Sequence, residues 1–328
     1  MGGLKTTGEV LAALAAYESP NVTHVDPAGG WPAVWASARG TRVLDLEGRE
    51  YLDLTAAFGV AAAGHGNRAV LLAMRTQAET LLHAMGDVHP HALKAALCRE
   101  LSRLTFGRWT PDGRGMTILS NSGFEAVESA LKTTLLATKK PGVIAFEGGY
   151  HGLGYGALNA THREHFRGPF ESQLARFGRF LQFPSRDGQL QTIEQAIREV
   201  TAPGGIGAIV VEPIQARGGI RVPPPGFLTM LRKVATETGM LLVLDEIYTG
   251  FGRTGAWFAC EHEGVAPDLI CLGKALTGGF PLSACVGRSD LMAAAWPRSE
   301  GEAIHTSTFL GHPVGCAMAL AQIKEIAR

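Results

Sequence analysis

The spacing of apolar and polar side chains divides the chain into three stretches. In TRVLDLEGREYLDL, residues 41–54, the two kinds alternate on either side of Glu47–Gly48, which predicts a β-hairpin near the N-terminus. From Asn67 the period lengthens. NRAVLLAMRTQAETLLHAM and HALKAALCRELSRL carry their apolar residues at the spacing of an amphipathic helix. Further on, the apolar runs GMTILS, GVIAFEG, GAIVVEP, MLLVLDE, DLICLG and SACVG alternate with helical segments. Those segments include FEAVESALKTTLLATK, QTIEQAIREV and GFLTMLRKVATETG. This alternation predicts an α/β fold with a mostly parallel sheet buried on both faces. The final segment, GCAMALAQIKEIAR, has a helical pattern and stops without the Gly, Asn or Pro that usually ends a helix.

Composition changes the picture in a few places. A chain of 328 residues allows two domains. Thirty basic residues balance thirty acidic ones, so no net field draws nucleic acid or an anionic membrane, and a small-molecule partner is expected. The five cysteines (Cys98, Cys260, Cys271, Cys285 and Cys316) show no C-x-x-C pair or Cys/His ligand spacing. No metal site is expected, and free thiols suit a reducing, cytoplasmic compartment. No secretory signal is visible, and runs such as MLLVL fall far short of a membrane span. The opening MGGLKT matches the myristoylation pattern, which is too short and degenerate to carry weight.

One motif asks for a decision. LLVLDEIYTGFGRTG, from Leu241 to Gly255, ends in a literal G-x-G-x-x-G. A dinucleotide loop of that kind follows its strand directly, opens a long helix, and finds an acid at the end of a second strand. Here EIYT intervenes, AWFACEHEG gives two helical turns at most, and Asp268 begins its run rather than ending it. The context fails, and a nicotinamide-dependent oxidoreductase is the remote reading. The chemistry falls instead on Asp245, at the carboxyl end of an apolar strand, where open α/β sheets place their ligand crevice.

Asp245 has company. Lys274 ends the next apolar run, in PDLICLGKALTGGFP, and a partly buried lysine there can form a Schiff base. Pyridoxal phosphate asks for such a lysine together with an acid at its ring nitrogen. A phosphate needs donors. Asn121-Ser122-Gly123 runs straight into a helix whose first amides can hold an anion, although Ser122 to Glu125 also reads as an ordinary capping box. Tyr150 and His151 follow a strand and can lay a ring against a flat cofactor, or simply pack in the core.

Together these segments resemble the class III (subgroup II) aminotransferases of pyridoxal phosphate fold type I. NSGFEAVESALK, YHG, VVEPIQARGG, LVLDEIYTGFGRTG, PDLICLGKALTGGFPLSA and HTSTFLGHPVGCAMALA occur in that family's order across about residues 30 to 328. The resemblance implies a large α/β cofactor-binding domain at 59–328. It also implies an N-terminal segment and hairpin of a small domain at 1–58, with the family's C-terminal small domain missing. By the same resemblance, Lys274 would attach the cofactor and shuttle the substrate proton, and Asp245 would pair with the ring nitrogen. Ile247 and Tyr150 would pack on opposite ring faces, with His151 and Glu212 beside the ring. Ser122, Gly123 and Phe124 would hold the phosphate, joined by Thr308 from a neighbouring subunit, which makes a homodimer with shared sites.

Three positions depart from the family. Tyr248 stands where members often have Gln, and a phenol there can still reach the cofactor's ring oxygen. Phe124 stands where many have Thr, removing one hydroxyl. Arg217 stands where members acting on ornithine or 4-aminobutyrate tend to have Glu. Arginine suits a bidentate grip on a substrate carboxylate, and a solvent-facing residue in a Gly-rich turn is the plain alternative. The implied activity is transfer of an amino group from an amino donor to a 2-oxo acid by a ping-pong route. A racemase or aminomutase would use the same apparatus, and an inactive fragment is the further alternative.

Overall fold

A computed structural model of the chain describes residues 3–26, 31–111 and 113–328. The start of MGGLKT and part of the 1–58 segment therefore lie outside the described residues. Near the N-terminus β1 (Trp35–Arg39), β2 (Arg42–Asp45) and β3 (Glu50–Leu52) form an antiparallel sheet in that order. The expected hairpin is β2–β3, with Val43 opposite Tyr51. Its turn is fixed by the Asp45 carboxylate, which accepts the N–H groups of Glu47 (3.1 Å) and Arg49 (2.8 Å). β1 has no signature in the sequence, because its side chains are almost all exposed and follow no alternation.

The second stretch forms the expected helices, Arg68–Thr80 and Ala92–Leu104. Asn67 starts the first by accepting the N–H groups of Ala69 and Val70 on its side-chain oxygen. Both pack against the last helix, Pro313–Ile326, with Val70, Val314 and Met318 buried between them.

The third stretch builds the main sheet from β4 (Gly115–Ser120), β5 (Gly142–Phe146), β6 (Gly178–Leu181), β7 (Ile206–Val211), β8 (Leu241–Asp245), β9 (Leu269–Leu272) and β10 (Ser283–Arg288). The order is β4-β10-β9-β8-β7-β5-β6. β10 runs antiparallel to both its neighbours, and the other pairs are parallel. Alternate residues of each central strand feed separate cores. Ile144, Ile209 and Leu242 join one, and Val143, Ala208 and Val243 join the other. Burying a side chain of this kind stabilises by roughly 1.5–3 kcal/mol, so two covered faces demand an apolar residue at every position.

The Gly123–Thr138 helix covers one face through Ala126, Val127 and Ala130. Leu190–Thr201 and Phe227–Thr238 cover the other through Ile193, Ile197, Leu231 and Val234. This is the α/β architecture the sequence predicts. Its consequence for function is geometric. The carboxyl ends of β4, β5, β7, β8 and β9 all reach one edge of the sheet, and the motif residues stand just past them. Among the described residues no helix is long and apolar enough to cross a membrane, and no cluster of His, Cys, Asp or Glu is arranged to hold a metal.

Candidate active site

Asp245 ends β8 and is buried. Its Oδ2 accepts the Nδ1–H of buried His151 at 2.7 Å, and its Oδ1 accepts the Ile247 N–H at 3.2 Å. The His151 backbone is pinned in turn, its N–H donating to Thr161 Oγ1 at 2.9 Å. Burial disfavours charge on the His151 imidazole. The hydrogen bond to Asp245 and the charges of Asp245 and Glu212 outweigh that effect and raise its pKa above the ordinary value. The carboxylate is thus fixed in position from both of its oxygens.

Lys274 follows β9 across Gly273 and is partly buried, its Nζ 5.3 Å from the centre of the Tyr248 ring. Burial pushes the amine below its ordinary pKa. Asp245 and Glu212 pull it back up, and Arg217 adds to the depression. A depressed pKa leaves more of the amine as free base, the nucleophilic form.

The Gly123–Thr138 helix points its N-terminus at the same edge. Glu125 accepts the N–H groups of Asn121 (3.1 Å) and Ser122 (2.8 Å) and the Ser122 hydroxyl (2.8 Å), so the expected cap is present. Among the described residues the N–H groups of Gly123 and Phe124 have no acceptor. Two free amides at the start of a sixteen-residue helix suit an anion. Ile247 lies against both Gly123 and Gly273, where an added Cβ would meet its side chain at 3.1 and 3.2 Å. The Phe124 side chain fills the space over Gly152 and Gly154, where a Cβ would meet it at 2.2 and 2.5 Å.

Glu212, just past β7, ties two loops together. Its carboxylate accepts the N–H groups of Tyr150 (2.9 Å) and Ala216 (3.0 Å). Burial pushes its pKa up to about 7, with His151 opposing and Asp245 adding to the rise. Next to Ala216, the Arg217 guanidinium stacks over the Tyr150 ring at 4.5 Å and the Phe166 ring at 5.3 Å. The sequence alone leaves Arg217 between a substrate contact and a surface residue. In the structure it is exposed yet held on two aromatic faces, and Lys274 feels its charge.

The edge thus brings together Ser122, Gly123, Phe124, Tyr150, His151, Glu212, Asp245, Ile247, Tyr248, Lys274 and Arg217. Thr308 stands apart, exposed on the loop before the last helix, where its neighbour Ser307 lies 3.5 Å from Asn121 Nδ2. Sequence reasoning missed Phe166, which sits in no periodic segment and has meaning only through its T-shaped contact with Tyr150 at 5.4 Å. It also missed Glu246. That side chain is fully buried and binds Thr249 Oγ1 (2.6 Å) and the N–H groups of Ala259 (2.8 Å) and Cys260 (2.8 Å).

An aldehyde cofactor with a phosphate arm and a basic ring nitrogen needs a nucleophilic amine, a fixed carboxylate and free N–H donors. Each is present on this edge, so the residues fit pyridoxal phosphate, and the fold and edge together define a pyridoxal phosphate enzyme of the α/β type. The comparisons narrow the class. A family model for class III aminotransferases matches residues 26–328. The chain is 39% identical over 298 residues to the acetylornithine aminotransferase of Methanosarcina mazei, covering 91% of this chain and 69% of that protein. An amine transaminase from an uncultivated Pseudomonas species, solved in its PLP-bound form, superposes with a TM-score of 0.85 at 28% identity, over 94% of this chain and 74% of that one. The ornithine aminotransferase of Toxoplasma gondii gives 0.84 at 30% identity, over 99% and 72%. The chain belongs to the class III aminotransferase family. Its cofactor is pyridoxal 5'-phosphate and its reaction is transamination.

Proposed function

We propose that Lys274 carries the cofactor and moves the substrate proton, and that Asp245 holds the proton on the cofactor's ring nitrogen. The observation that carries this reading is their placement. They terminate adjacent parallel strands at one sheet edge, the amine partly desolvated and the carboxylate backed by His151 at 2.7 Å. Bound there, pyridoxal phosphate supplies a carbonyl to take the amino group and a ring to absorb the electrons freed at the donor carbon. Gly123 and Phe124 present backbone N–H groups to the phosphate, and Ser122 joins them when its hydroxyl turns from Glu125. Tyr150 and Ile247 bound the ring's two faces, and the Tyr248 phenol serves its ring oxygen. Glu212 sets the Tyr150 backbone through their hydrogen bond.

Thr308, exposed on its loop, completes the phosphate site of a second copy in this reading, which makes the enzyme a homodimer with shared sites. Residues 1–58, with their own three-stranded sheet, belong to a small domain, and 59–328 form the large one. Five free cysteines suit a cytoplasmic enzyme.

The stacked Arg217 selects the substrate. Its guanidinium, steadied by Tyr150 and Phe166, grips a carboxylate, so the donor is an amino acid that bears an acidic group and the acceptor a 2-oxo acid. The Methanosarcina mazei relative is named an acetylornithine aminotransferase. A donor panel with 2-oxoglutarate and pyruvate, run on wild type and Arg217→Ala, tests the reading. A lost charge-assisted contact of about 1.5–3 kcal/mol raises KM for acidic donors roughly tenfold or more, leaving neutral amines unchanged. Equal effects on both kinds of donor contradict it.

A further inference from the structure

The chain from Thr55 to Gly59 does something its sequence does not announce. Ala56, Ala57 and Phe58 are consecutive non-glycine residues in the left-handed region, at φ +50°, +50° and +55°, and Gly59 follows at +88°. They close one left-handed turn, with the Gly59 N–H donating to Thr55 O at 2.9 Å. A single residue of this kind is uncommon, and three in a row persist only where their surroundings hold them.

The holding groups are identifiable. Asp53 accepts four donors. Its Oδ1 takes the N–H (3.0 Å) and hydroxyl (2.6 Å) of Thr55, and its Oδ2 takes the N–H of Ala57 (2.7 Å) and His65 Nε2 (2.8 Å). His65 is braced in turn by the edge of Trp35, at 5.8 Å between ring centres. On the far side Arg253, from the GFGRTG loop, donates to Gly59 O at 3.4 Å. Burial pulls the Asp53 carboxyl up, but the bonds from Thr55, His65 and Ala57 outweigh it and leave the pKa below the ordinary value. The turn packs on the segment that begins at Lys274. A Cβ placed on Gly59 would touch the Tyr248 ring at 3.4 Å and Lys274 Cδ at 3.5 Å.

We propose that Asp53 and His65 are positioning residues which hold this strained turn against Lys274 and Tyr248, and so fix where the Lys274 amine sits. The inference rests on Lys274 being the cofactor lysine. Phe58, 71% exposed, costs the turn apolar surface and gives it no anchor, so burial does not hold the turn in place. With the pair broken, the turn relaxes to the right-handed basin, and water reaches the stem of Lys274. The charged groups that face that amine are Asp245, Glu212 and Arg217, beside the Tyr248 ring, and none is altered.

The test uses cofactor-loaded protein and reads the pH midpoint of its visible absorbance together with kcat and Tm. In Asp53→Ala and His65→Leu, water around the nitrogen favours its charged form, so the midpoint rises by about half a pH unit or more. In the same variants kcat falls about tenfold through misplacement of the amine. His65→Gln keeps a donor to Asp53 and stays near wild type. Adding Ala56→Gly and Ala57→Gly to Asp53→Ala removes the steric cost of the turn and recovers at least half of the midpoint shift. Should Asp53→Ala fail to fold, the His65 pair carries the comparison. A lowered Tm with wild-type midpoint and kcat would make the pair scaffolding only and overturn the proposal. Retention of the visible band in Lys274→Ala would instead overturn the assignment of Lys274 on which it rests.

Discussion

Two glycine-bearing segments lie at the same edge of the sheet and do opposite things. In Asn121–Phe124 the chain passes from β4 straight into a sixteen-residue helix, and the N–H groups of Gly123 and Phe124 are left without acceptors among the described residues. In Gly250–Gly255 the three glycine amides are spent at home, and those of Phe251, Arg253 and Thr254, without acceptors among the described residues, open no long helix. The Gly250 N–H donates to Glu246 O at 2.9 Å, Gly252 to Trp257 O at 3.4 Å, and Gly255 to Gly252 O at 3.1 Å. The loop then leads into a five-residue 3-10 helix, Ala259–Glu263, closed by Gly264 at φ +62°. The literal G-x-G-x-x-G therefore lacks the long helix that stands behind the free amides of the segment with one glycine. Glycine permits a close approach, but the charge that holds a phosphate comes from a helix whose first donors are unpaired.

The comparison breaks most visibly at Asp245. If the chemistry belongs to the sheet edge and not to the loop, Asp245→Asn loses about a thousandfold or more in kcat, several kcal/mol of lost charge pairing, with cofactor still bound. Near wild-type turnover contradicts its role. The next effect concerns stability. Glu212 has a folded pKa of about 7 against an ordinary 4.5, so the folded chain keeps a proton that the unfolded chain releases between those values. Its contribution is fully present below pH 4.5 and is lost as pH rises towards 7, on the order of 3 kcal/mol in the cofactor-free protein. Denaturant melts at pH 5 and 7.5 should show a smaller difference in Glu212→Gln than in wild type; equal differences count against it.

Two glycine variants then sharpen the contrast. Gly123→Val forces a side chain onto Ile247, which a Cβ already meets at 3.1 Å. An overpacking cost of about 2 kcal/mol weakens cofactor binding roughly thirtyfold, read by titrating the apoprotein. Gly255→Ala puts a Cβ at φ +91° with no atom within 4 Å. It costs stability of about 1 kcal/mol and leaves cofactor affinity within about twofold. A tenfold loss of cofactor affinity there would return the loop to the binding site.

How much of the fold and site is legible in the sequence depends on where each constraint lies. β8 and β9 are legible because strands buried on both faces must be apolar throughout, and Asp245 and Lys274 announce themselves by standing at or just past the ends of such runs. β6 is not, since GRFL lies at the sheet's edge and is only partly buried. The Arg217–Tyr150–Phe166 stack joins two loops and the four-residue Glu164–Arg167 helix, with no local pattern in common. Ala-Ala-Phe at 56–58 carries no residue that favours positive φ. Its conformation is imposed from outside, by Asp53 and by His65, twelve residues from Asp53. Tertiary contacts overrode propensity at that turn, beside the proposed chemistry.

The most direct test of the central claim is chemical. Borohydride reduction of the loaded enzyme, followed by peptide mapping, should place one pyridoxyl label on the peptide that contains Lys274, in PDLICLGKALTGGFP. Lys274→Ala should keep its fold and give no label. A label on any other lysine, or an undiminished label in the variant, would contradict the assignment of the sheet edge as the catalytic site.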